Sequence, residues 1–135
     1  DTPVDDADRL SNLQSLFAKK FVFEVCTGGG NNQLFISEDF TTLEVEFKEN
    51  YHDLWDNAIK PIHLVANTVL TPVGKDIVQE RSIVALFIQK PDTAGPVIEY
   101  TAELLGIVVR DESGNWRFRK RLIIIDNPST VSYAR

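Results

Sequence analysis

The sequence predicts an α+β domain, with helices in the first half and long strands joined as hairpins in the second. Three observations lead there. Residues 62–126 contain the strand-like runs IHLVANTVL, DIVQERSIVALFIQK, VIEYTAELLGIVVR and NWRFRKRLIIID. Turn residues separate them: Pro72 with Gly74, Pro91-Asp92 through Gly95-Pro96, and Ser113-Gly114-Asn115. Before them, apolar residues recur at helical spacing. Strands this long in one small domain imply a strongly curved antiparallel sheet. A sheet that wraps also makes a pocket, so function turns on what lines it.

Leu10, Leu13, Leu16, Phe17, Phe21 and Val25 fall three and four apart, which predicts an amphipathic helix to about Val25. Asp5 or Asp6 would cap it and Gly28-Gly29-Gly30 would end it, although the local run FVFEV is β-prone. Asn31 to Phe40 reads as a short helix or a turn, and Thr42 to Phe47 alternates as a strand. In NYHDLWDNAIK, Tyr51, Leu54, Trp55 and Ile59 share one helical face, and Pro61 stops the helix. The tail from Pro128 to Arg135 reads as a loosely held extension. Residues 83–88, IVALFI, are apolar on both strand faces. Both faces of the sheet centre are therefore covered, one by helices and the pocket, the other most simply by a second subunit.

One domain over residues 1–135 accommodates this, and the chain is long enough to bury roughly two thirds of its unfolded surface. A net charge of −6 argues against nucleic acid as a partner, because phosphate binding needs a concentrated basic surface. Of the basic cluster Arg117, Arg119, Lys120 and Arg121, three alternate along a strand and would share one face with Ile123 and Ile125, which reads as a solvated strand face. No apolar run approaches the roughly 20 residues of a membrane span. The acidic start DTPVDDADRL reads as neither a signal nor a transit peptide. One cysteine cannot form an internal disulfide and fits a reducing compartment, so a cytoplasmic location is expected. Two histidines and one cysteine offer no metal-ligand spacing.

Several segments bear comparison as a set: Arg9-Leu10 with Leu16-Phe17, LFISEDF at 34–40, His63-Leu64-Val65-Ala66-Asn67, and EYTAELLGIVVRDESGNWRFRKRLIIID at 99–126. In order and spacing they resemble the nuclear transport factor 2-like superfamily, more closely its SnoaL-like polyketide cyclase and dehydratase branch. The resemblance implies a cone-shaped barrel, a curved antiparallel sheet wrapped around N-terminal helices with an apolar pocket inside. It further implies a cofactor-independent lyase, isomerase or cyclase acting on a small apolar carbonyl compound. Catalytic members of that branch use a Tyr and an Asp near the end of the first helix and a His on the following strand. His63 matches the histidine, whereas Phe21, or Lys20 one residue before it, stands at the tyrosine position and Cys26 at the aspartate position. The family's Tyr-x-Asp in the third strand becomes Tyr100-Thr101-Ala102. Two acidic groups are thus replaced, and a non-catalytic ligand-binding or dimerisation module is the alternative.

His63 would supply acid–base chemistry, since an imidazole can take and return a proton near neutrality. It shares a strand face with Val65, Asn67 and Val69, and the opposing reading is a structural histidine. Asp39, Glu44 and Glu46 are the carboxylates in reach by sequence to orient it. Phe21, Cys26, Tyr51, Trp55, Asn67 and Tyr100 are the candidate cavity residues. Each has a bland counterpart: Cys26 a buried small hydrophobe, Tyr51 and Trp55 core packing, Asn67 a strand-end tie, Tyr100 a sheet-face residue. The glycine triplet lacks the strand-loop-helix context and Lys-Ser/Thr of a phosphate loop.

Overall fold

The computed structural model describes residues 11–126. Residues 11–14 are helical, and six strands and one long helix come after them. They are β1 (Phe17–Thr27), β2 (Asn32–Ser37), α1 (Phe40–Asp56), β3 (Lys60–Gly74), β4 (Ile77–Gln89), β5 (Val97–Arg110) and β6 (Trp116–Ile125). The strands form one open sheet in the order β2-β1-β6-β5-β4-β3, leaving β2 and β3 as edges. The four strands expected over residues 62–126 are β3 to β6, and the α+β class stands.

The sheet is mixed rather than purely antiparallel, because β1 runs parallel to β6. The largest departure from the sequence expectation lies in this strand. The helix expected from Leu10 to Val25 gives way to a strand from Phe17 onward. Phe17, Phe21 and Val25 are four apart, and a spacing of four satisfies both a helical period and a strand period of two. The tie is broken by Phe23, which is buried along with Phe21 and Val25 while Val22 and Glu24 between them are half-exposed. Backbone pairing with β6 on one side and β2 on the other completes the choice. Gly28 and Gly29, at φ +60° and +68°, form a tight 3₁₀ turn between β1 and β2 instead of a helix stop.

The next two segments exchange roles. Asn32–Ser37 is a strand, and the strand expected over 42–47 is the first part of α1. Asp39 starts this helix, its carboxylate accepting from the Thr42 amide at 2.8 Å and the Thr42 hydroxyl at 3.0 Å. Leu43 and Phe47, one turn apart, then face the sheet, while Val45 is exposed. The alternation of Leu43, Val45 and Phe47 is therefore a coincidence that a capped helix overrides. Expectations resting on Asp5, Asp6 and residues 128–135 lie outside the described residues, as does the Tyr51 side chain.

One face of the sheet, the inner face, carries α1 and the core. Phe17, Phe21, Phe23, Val25, Leu43, Val84, Ala102, Leu104 and Ile125 form its buried cluster. Phe23 meets Phe47 of α1 edge-to-face at 5.6 Å and packs against Phe35 of β2 at 6.1 Å. Leu43→Ala should cost about 2–5 kcal/mol, since it empties a fully buried site between helix and sheet. Val45→Ala, two residues away, should stay within about 0.5 kcal/mol of the parent. Urea unfolding monitored by circular dichroism checks the contrast.

Candidate functional site

Pairing places His63 opposite Leu86, and Leu86 opposite Tyr100. Val65, Val84 and the buried Ala102 make the neighbouring row, so His63 and Tyr100 both belong to the inner face. Two strand spacings separate them, about 10 Å. His63 is exposed on the edge strand, and among the described residues nothing hydrogen-bonds its ring. Tyr100 is half-buried against the core; burial, and then the charge of Glu99, push its phenol above the ordinary range.

The carboxylates expected to orient His63 are engaged elsewhere. Asp39 caps α1, Glu44 pairs with Lys48 at 3.3 Å, and Glu46 accepts from Asn50 at 3.3 Å. The strand face attributed to His63 also changes partway. A bulge between Ala66 and Val69 sets two residues of β3 opposite one of β4, so Val69 lies on the outer face beside Arg81. Asn67 sits in that bulge at φ +54°, a left-handed conformation that asparagine tolerates better than most residues.

Phe21 and Cys26 come out on opposite faces of β1. Phe21 packs in the core with its ring centroid 4.8 Å from that of Phe17. Cys26 pairs with Ile124 on the outer side and is buried there. Burial, then the hydrogen bond and charge of neighbouring Glu24, push its thiol above the usual range, the opposite of an activated nucleophile. Trp55 is exposed near the end of α1, and His52 is exposed as well. The residues expected together at the end of a first helix thus sit on a strand, and only His63 and Tyr100 share a row.

A different inner-face cluster had no counterpart among the sequence expectations. Arg121 donates to Glu80 at 3.0 Å, and the Ser82 hydroxyl donates to the same Glu80 oxygen at 3.4 Å. Both charged side chains are largely buried, 19% exposed for Arg121 and 15% for Glu80. They lie two strands apart with Gly106 between them in register, and the missing side chain lets the pair close over β5. The Arg121 guanidinium also covers the Phe118 ring at 4.8 Å. The basic segment was expected as one solvated face; instead a bulge between Ile107 and Val108 breaks its alternation. Arg117 turns to the Asp111 carboxylate at 2.6 Å and the Ser15 carbonyl, while Arg121 turns inward. A glycine inside a strand run, flanked in sequence by long apolar stretches, was the available signal.

An open cleft of about 970 Å³ lies at the end of the sheet where β1 begins and the β5–β6 hairpin turns. Phe17, Phe21 and Phe40 line it, and of the candidate residues it takes only Phe21. Among the described residues no group of His, Cys, Asp and Glu could hold a metal ion, and no helix is long and apolar enough to cross a membrane.

Solved structures share this architecture. A protein from Novosphingobium aromaticivorans, assigned as the beta subunit of an aromatic-ring-hydroxylating dioxygenase, aligns with a TM-score of 0.70 at 20% identity, over 90% of this chain and 79% of that one. ActVI-ORFA from Streptomyces coelicolor aligns with a TM-score of 0.70 at 16% identity, over 90% and 86%. The chain has the SnoaL-like, nuclear transport factor 2-like fold. A third relative in that fold, assigned as a scytalone dehydratase from the same Novosphingobium species, reaches 0.63 at 17% identity over 90% and 74%. By sequence alone, no family model and no curated protein matches the chain. Likeness at such identities is a likeness of fold, and the nuclear transport factor 2-like sheet hosts different chemistries on one framework.

Substitutions at two of the candidate residues have contrasting expected effects. Asn67→Gly should be neutral or mildly stabilising, whereas Asn67→Val should cost about 1–2 kcal/mol because a β-branched residue resists positive φ. Thermal unfolding of the two variants checks this. The folded Cys26 thiol keeps its proton above the unfolded value of roughly 8.5, so its stabilisation is complete below that pH and declines above it. The wild-type urea midpoint should therefore fall further than that of Cys26→Ala as pH rises from about 8 to about 10.5.

Proposed function

We propose that the chain is a non-catalytic dimerisation module whose outer sheet face packs against a second copy. The observation behind this reading is the uncovered aliphatic field on that face. Ile62, Leu64 and Val69 of β3, Ile83 of β4 and Ile98 of β5 are between 37% and 61% exposed. Their register puts them all on the side away from α1. Soluble domains rarely leave a contiguous apolar patch of more than a few hundred Å² open, and such patches mark interaction surfaces. The apolar character of residues 83–88 on both strand faces argues the same way: β4 has its core side covered and its outer side waiting for a partner. Likeness to a protein assigned as a dioxygenase beta subunit supports a subunit role.

A second reading keeps the fold's enzymes in view. His63 and Tyr100 share an inner-face row, with Leu86 forming an apolar floor between them. A small apolar carbonyl compound lying over Leu86 would meet an imidazole on one side and a phenol on the other. His63 would then move the proton and Tyr100 would hydrogen-bond the carbonyl oxygen, without a cofactor. Likeness to a protein assigned as a scytalone dehydratase supports this class. The module ranks first because the His63 ring is exposed and the carboxylates named for it are committed to α1.

Sedimentation equilibrium tests the first reading. The wild type should sediment with the mass of two chains at about 100 µM, and Ile83→Glu should sediment as one chain with its circular dichroism retained. A wild type that stays monomeric at that concentration would end the proposal. Thermal shift against apolar carbonyl compounds tests the second. Stabilisation that Tyr100→Phe weakens and turnover that His63→Ala abolishes would move the enzyme reading ahead; neither would retire it.

A further inference from the structure

The outer face has an ion pair in the middle of its aliphatic field. Arg81 Nη2 lies 2.6 Å from Glu103 Oε1, with Arg81 68% exposed and Glu103 31% exposed. Register surrounds the pair with apolar neighbours on the same face. Arg81 stands between Val69 and Leu105, and Glu103 between Ile83 and Ile124. Other outer-face charges lie away from this centre: Lys60 at one end of β3, Lys120 and Glu24 toward β1, and Arg117 at the β5–β6 hairpin end, where it is held by Asp111. A guanidinium has five N–H donors, and only one makes a described bond here.

Closing such a face against an apolar partner would strip water from these unused donors and from the second Glu103 oxygen. Burying incompletely paired charge costs more than the pair returns. A second copy related by a twofold axis avoids that cost, since it presents its own arginine and glutamate in the reversed sense. From this geometry, and resting on the dimer reading, we propose that the twofold axis passes beside Arg81 and Glu103. Each arginine then bridges its own glutamate and the partner's Glu103. The four charges fix the register in which two aliphatic sheets, otherwise free to slide, come together. The pair is a specificity device for self-recognition rather than a source of affinity.

Charge reversal separates this from an ion pair that acts only within one chain. Arg81→Glu places four carboxylates around the axis, and Glu103→Arg places four guanidinium groups there. Each variant alone should dimerise about 100-fold more weakly than the wild type, or worse. An equimolar mixture should form heterodimers, because each carries the charge the other lacks. The doubly reversed chain, Arg81→Glu with Glu103→Arg, should recover the homodimer. Circular dichroism of each variant confirms folding, and the neutral pair Arg81→Gln with Glu103→Gln serves if a reversed chain fails to fold. It should dimerise with a strength that salt leaves unchanged, whereas the wild-type dimer should weaken as salt rises, and an equal salt response of the two would overturn the proposal. If the wild type dimerises but both single reversals do so equally well, the axis lies elsewhere and this proposal fails while the dimer reading stands. Two monomeric variants that ignore each other on mixing overturn it too. A monomeric wild type removes both.

Discussion

The molecule depends on the register that β5 holds with its two neighbours. From Ile77↔Val109 to Ile88↔Val97, β5 pairs along the length of β4, and from Ala102↔Ile125 to Arg110↔Trp116 it pairs along β6. Side chains alternate with a period of two, so this register decides for three strands at once what faces α1 and what faces outward. The inner rows receive Val84, Ala102, Leu104 and Ile125, which meet Phe23, Val25 and Leu43 in the core. The outer rows receive Ile83, Leu105 and Ile124, on the side away from α1. A slip by one residue would exchange the two sets.

Charges near the sheet centre obey the same rule. Glu80 and Arg81 are adjacent in sequence and therefore point to opposite faces. Glu80 joins Arg121 on the inside, across Gly106, and Arg81 joins Glu103 on the outside. The inner link ties β4 to β6, which it does not pair with, and the outer link adds to its ladder with β5, in unlike surroundings. The inner pair is largely shielded from water and is supported by Ser82 and the Phe118 ring. Removing one of its members would strand a buried charge. The outer pair is exposed in the single chain and acquires its consequence only when something covers the face.

Bulges interrupt the alternation where it matters for the candidate residues. The one at Asn67 hands Val69 to the outer face and enlarges the aliphatic field. The one facing Ile107 and Val108 separates Arg117 from Arg121 and sends them to different partners. Neither is visible as a period, because an extra residue leaves the composition of a strand unchanged while switching the face of every side chain beyond it. Hence the four long strands were legible, whereas the face occupied by Val69 or Arg117 was not.

Runs of β-branched and aromatic residues punctuated by Pro72, Gly74, Gly95 and Gly114 were enough to determine the strand-rich second half, the α+β class and the family likeness of the fold. His63 and Tyr100 were likewise singled out from sequence, and pairing through Leu86 sets them in one row. Other features were decided by tertiary structure. Four-residue spacing from Phe17 to Val25 suits helix and strand alike, and only hydrogen bonding to β2 and β6 resolved it. Asp39 turned an alternating segment into α1 once its carboxylate found the Thr42 amide. Opposite charges distant in sequence became the Glu80–Arg121 and Arg81–Glu103 pairs because register, a long-range property, brought them together. Local composition can specify what an element is, but which residues meet across elements depends on pairing that no single segment contains.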